Sequence, residues 1–142
     1  MKRSILAVLA GLVVWMLVAT LLNRGLRAGL PGYAVAEPTL IFTLGMKVAR
    51  LILGALASLA AGAAAGLIAP AKMTPRWVLG AIILAFFVPV HIQLWAKFPV
   101  WYHLVFLGTL LPFVLLGAAL PRTGLRTPGS ASPSSPARTL PT

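Results

Sequence analysis

The sequence predicts an all-α, integral membrane four-helix bundle with an extended second helix and a disordered C-terminal tail. Three observations predict it: apolar runs long enough to cross a bilayer, basic or proline-containing breaks between them, and a last stretch too polar to build a core. Hydrophobic residues make up 60% of the chain and mean hydropathy is +0.99, well above a soluble domain of this length.

The chain starts with Met1-Lys2-Arg3 and continues at 4–22 as an uninterrupted apolar run of about 19 residues, enough to span hydrocarbon at 1.5 Å per residue. That exceeds the roughly 7–15 apolar residues of a cleaved signal, and no small-x-small site follows closely, so the run is read as a retained first span. Residues 23–37 form the first connection, in which Gly25, Gly29, Pro31 and Gly32 break regular structure. Glu37-Pro38-Thr39 reads as a helix start, because proline suits a first turn and an acid there complements the dipole. Nothing breaks a helix from there until Pro70. Lys47 and Arg50 divide that length into an amphipathic extension over 39–50 and a span over 51–69. The third span, 77–95, has Trp77 and Trp95 at its ends, about 27 Å apart on a helix, which matches two aromatic belts. A tight hairpin leads to the fourth span, 101–120. Pro89 and Pro112 are expected bends. Residues 1–120 are thus the transmembrane domain. Residues 121–142, rich in proline, serine, glycine and threonine, cannot bury enough surface to order themselves.

The stretch GALASLAAGAAAG, residues 54–66, predicts how the bundle packs. Gly54, Ser58, Gly62 and Gly66 recur every four residues and form a furrow on one helix face where another backbone can approach. Ala7 and Gly11 supply a matching small pair on the first span, and Trp15 is expected to pack at mid-span.

Lysine and arginine number 12 against the single acid Glu37, for a formal net charge of +11. These cations sit between apolar runs, where they act as topology signals and contacts for lipid headgroups; nucleic acid is not an expected partner. Cytoplasmic termini put Lys2, Arg3, Lys72, Arg76, Arg122, Arg126 and Arg138 inside, against Arg24, Arg27, Lys47, Arg50 and Lys97 outside. The margin is narrow. With no cysteine in the chain, disulfides, thiolate metal sites and a cysteine nucleophile are excluded.

Polar residues collect at the external end in this orientation: Glu37, Lys47, Arg50, His91, Gln93, Lys97, Tyr102 and His103. Interfaces attract lysine, tryptophan and tyrosine in any case, and Trp95, Trp101 and Tyr102 read as an aromatic girdle. A sharper expectation is that Glu37 pairs with Arg50 or Lys47 and closes the first loop over the bundle. His91 and Gln93 lie roughly 9 and 6 Å inward of Lys97 along the helix, a depth at which polar side chains face the bundle and hydrogen-bond between helices. No metal or cofactor is expected, since His91 and His103 lack accompanying carboxylate or thiolate ligands. Nor does the sequence offer paired carboxylates, a nucleophile with its base, or a phosphate loop, so no enzyme is expected.

The segments Tyr33-Ala34-Val35-Ala36-Glu37-Pro38 and Lys97-Phe98-Pro99-Val100-Trp101-Tyr102-His103, in this four-span layout, resemble those of small uncharacterised bacterial inner-membrane proteins. The resemblance implies a bacterial inner membrane and carries no activity. The expected role is a structural or accessory subunit packing against itself or another membrane protein. The alternative is a small oligomeric transporter or channel with Arg50, His91 and Gln93 along a polar path.

Overall fold

The computed structural model describes residues 1–69 and 71–123, the last three for their backbone only. Its elements are α1 (Lys2–Gly29), α2 (Tyr33–Thr39), α3 (Leu44–Ile68), α4 (Thr74–Gln93) and α5 (Val100–Thr123), with no strand among the described residues. All except α2 are long and apolar enough to cross a membrane, which points to a multi-pass membrane protein. Around the bundle the order of contact is α1, α3, α5, α4 and back to α1.

Helix α3 makes the most extensive contacts, with α5 and α1 on either side. Its small residues explain why. A Cβ added at Gly62 would overlap the Val114 carbonyl oxygen, and one at Gly66 would sit 2.6 Å from the Ala118 carbonyl oxygen. Gly117 of α5 returns the fit, pressed against the Leu59 carbonyl. Gly54, Gly62 and Gly66 thus meet Phe106, Val114 and Ala118 in turn, so α3 and α5 run parallel at backbone-to-backbone distance. On the α1 side, Ala7 is buried with Ala61 and Ala65, and Gly11 rests on the Ala61 carbonyl. Trp15 donates its indole N–H to Ser58 Oγ at 3.2 Å, while Ser58 donates to the Gly54 carbonyl at 2.8 Å. The furrow is therefore filled within the chain, by helices on both its flanks.

Two expectations are corrected at the end where α1 meets α3. The first connection is mostly helical: α1 runs through Gly25 to Gly29, because isolated glycines cost a helix only about 1 kcal/mol each relative to alanine. The chain turns at 30–32, where Gly32 takes φ +77°. The extended second helix over 39–50 is the other correction. Pro38 falls in the last turn of α2, Leu40 adopts the left-handed conformation (φ 59°), and α3 restarts at Leu44 with Thr43 as N-cap, its hydroxyl accepting from the Met46 N–H at 3.3 Å. A side-chain cap of this kind is worth about 1 kcal/mol. The break delivers Phe42 into the bundle between Tyr33 and Phe98, at ring separations of 5.5 and 5.9 Å.

The core consequently has two storeys. A deep one of small and aliphatic residues centres on Ala61, Ala65, Leu79, Leu110 and Val114, and an aromatic one gathers Tyr33, Phe42, Met46, Phe98 and Tyr102 at the α2 end. Residues 124–142, most of the expected disordered tail, lie outside the described residues, and α5 itself continues through 121–123.

Candidate functional site

The polar residues converge on the α2 end of the bundle in two linked groups. The first is built by α1, α2 and α3. On α1 the residues Trp15, Ala19, Asn23 and Arg27 repeat every four positions and make one stripe. The short turn at 30–32 folds α2 back against the end of that stripe, so Glu37 faces Asn23 and Arg27. Asn23 Nδ2 donates to Glu37 Oε1 at 2.8 Å, and Arg27 Nε lies 3.4 Å from Glu37 Oε2. The fully buried Tyr33 donates its hydroxyl to Asn23 Oδ1 at 2.9 Å and accepts from Arg50 Nη1 at 2.8 Å. A chain of hydrogen bonds therefore runs from Glu37 through Asn23 and Tyr33 to Arg50, tying three helices together.

This corrects the expected pairing of Glu37 with Arg50 or Lys47. The acid belongs to Arg27 and Asn23 because α2 packs on α1, whereas the half-buried Lys47 makes no side-chain hydrogen bond or ion pair among the described residues. Arg50 points toward the α2 end because side chains on a helix lean to its N-terminus, and here α3 begins at that end. Its guanidinium lies 4.9 Å over the Phe42 ring, with Nε unpartnered and no carboxylate within 4.0 Å among the described residues.

The second group joins α4 to α5. His91 and His103, both buried, meet Nδ1 to Nδ1 at 2.8 Å, so one ring donates and the other accepts. Aromatic rings enclose the pair: Tyr102 stacks on His91 at 6.0 Å, Trp95 on His103 at 4.8 Å, and Phe106 lies 4.6 Å from His91. His103 Nε2 is buried without a partner. Gln93, expected to face the bundle, is exposed, because two residues on a helix point to nearly opposite sides and His91 takes the inner one. Lys97 is exposed as well. Tyr102, read as part of a girdle with Trp95 and Trp101, is 4% exposed and belongs to the aromatic core, while its two tryptophan neighbours stay at the surface.

Between the groups lies a partly open cavity of about 260 Å³, with Asn23, Glu37 and Arg50 at its polar end and Trp15, Gly54, Phe87 and Phe106 at its apolar end. A cavity with these walls can hold water or one polar group against the guanidinium. Among the described residues no three histidine, cysteine, aspartate or glutamate side chains come together.

Asn23 and Tyr33 are the members that sequence reasoning misses, since a lone asparagine and tyrosine beside glycines read as loop. The four-residue stripe on α1 is the signal that would have placed Asn23 inward. Comparison with protein-family models, curated proteins and solved structures returns no match to the chain.

Proposed function

We propose that the chain is a non-catalytic protein of a bacterial inner membrane, with cytoplasmic termini, serving as a structural or accessory subunit beside a second copy or another membrane protein. The observation that carries this reading is that the side chains fit for chemistry are bound to one another: His91 to His103, and Glu37 to Asn23 and Arg27. General acid-base catalysis would also need one of them to reach a substrate, and His91 and His103 are both buried among aromatic rings. Because the furrow on α3 is covered by α1 and α5, a partner would be met on the outer surface, where Trp77, Trp95 and Trp101 are 50%, 51% and 39% exposed. The bacterial inner membrane follows from the resemblance carried by residues 33–38 and 97–103. Cytoplasmic termini follow from Lys2, Arg3 and Lys72, which are exposed close to helix ends.

Extraction in mild detergent followed by light-scattering mass determination tests the reading. A defined homo-oligomer, or a stoichiometric complex with one membrane protein, is expected, and His91→Ala should weaken the fold without removing a catalytic signal. A strictly monomeric chain with no stoichiometric companion would overturn it. The cavity at Arg50 favours a second reading, a small transport unit. Proteoliposome flux above that of empty vesicles, and lost in Arg50→Gln, would put transport in place of the accessory role.

A further inference from the structure

We infer that the cleft between α1 and α4 is a binding site for one anionic phospholipid, whose phosphodiester reaches Arg50 and whose acyl chain lies in the groove below it. Two cavities meet there. The polar one beside Arg50 shares Trp15, Ala19, Thr20 and Phe87 with an apolar groove of about 400 Å³ lined only by α1 and α4. These two helices touch where Gly11 meets Leu79, and farther along the groove opens beside Met16 and Phe86, each 67% exposed. The groove therefore faces the membrane, and its upper end leads inward to a charge.

The dimensions fit one leaflet. From Leu12, at the bottom of the groove, to Asn23, at the polar end, is about 16 Å at helical rise, close to the roughly 15 Å from bilayer midplane to headgroup level. A chain lying along α1 would reach the midplane with its head at Asn23 and Arg50.

Charge selects the head. Glu37 is already neutralised by Arg27 at 3.4 Å, whereas Arg50 has no carboxylate within 4.0 Å among the described residues. A guanidinium held over Phe42 with its Nε buried and unpartnered gains from an anion, and a phosphodiester supplies one negative charge with oxygens suited to a guanidinium fork. Arg24, Arg27, Lys47 and Lys97 stand at the same end of the bundle, so a headgroup with net negative charge is preferred over a zwitterionic one.

The test uses the full chain purified in detergent, supplemented with palmitoyl-oleoyl phosphatidylglycerol or the matching phosphatidylethanolamine, with bound lipid counted by native mass spectrometry. One retained phosphatidylglycerol is expected, favoured by about tenfold over phosphatidylethanolamine, which offers Arg50 the same phosphodiester but brings an ammonium among Arg24, Arg27, Lys47 and Lys97. Arg50→Gln should cut retention by about the same factor. Ala19→Phe, which fills the groove and the mouth of the polar cavity, should abolish retention, and the melting temperature in detergent reports whether the fold holds. Equal retention of both lipids, retention unchanged in a folded Ala19→Phe, or displacement by millimolar glycerol phosphate as readily as by lipid would each overturn the site.

Discussion

Tyr33 holds together groups that would otherwise face each other across a gap. Its one hydroxyl donates to Asn23 and accepts from Arg50, so removing it leaves an amide oxygen without its donor and takes one acceptor from the guanidinium at once. Tyr33→Phe keeps the ring against Phe42 and is expected to cost about 1–3 kcal/mol, read as a lowered unfolding temperature in detergent. Glu37→Gln should behave differently. The amide can still accept from Asn23, and only the pairing with Arg27 is lost; Arg27 is 57% exposed, so the change should be within about 1 kcal/mol. A large loss in Glu37→Gln would mean that the carboxylate charge itself, felt by Arg50 through the cavity, holds the end together. None of these roles is visible at the residue level in sequence, because which cation an acid meets depends on how the chain between them turns. The turn at 30–32 sends Glu37 back to α1, and Arg50 is left with the phenols of Tyr33 and Tyr102.

At the scale of elements, the fit of α3 against α5 rests on absent side chains. Gly62→Ala places a methyl into the Val114 carbonyl, where neither helix can yield without parting from the other, and a loss of about 1–3 kcal/mol is expected. Gly108→Ala on α5 is the matched control: nothing lies within 4 Å of its new methyl, so the helix should gain up to about 1 kcal/mol from the better helix former. If both substitutions shift the melting temperature alike, close packing is not what holds α3 to α5. The furrow and the long apolar runs are legible in the sequence because they are patterns of size and polarity, which survive without knowledge of neighbours. The break at 40–43 is not. Thr43 looks like one more polar residue on an amphipathic helix until its hydroxyl is seen to cap Met46, and Leu40 gives no hint of a left-handed backbone. Thr43→Ala tests the cap: about 1 kcal/mol of stability should go, with Phe42 loosened from between Tyr33 and Phe98.

For the whole molecule, the decisive property is which end faces which compartment. Four candidate membrane spans, each crossing once, would return the chain to the side on which it started, with α2 and the 94–99 hairpin on one face and residues 71–73 on the other. Charge distinguishes the ends only slightly, and the structure reduces the contrast at both. Arg27 is paired with Glu37 and Arg50 is drawn inside at the α2 end, while Arg76 is buried at the opposite one. Helix direction is then left to the basic start, Lys2-Arg3, and to the exposed Lys72. The chain has no cysteine, so a single introduced thiol reports without background. Val35→Cys on α2 replaces a side chain that is 77% exposed, and Ala71→Cys sits in the opposite turn, also exposed. With cytoplasmic termini, a membrane-impermeant maleimide applied to intact spheroplasts should label Val35→Cys and reach Ala71→Cys only after permeabilisation. The reverse pattern would place the Arg50 cavity on the cytoplasmic side and its lipid in the inner leaflet. Labelling of both thiols from one side would mean that the helices do not cross the membrane as the bundle requires.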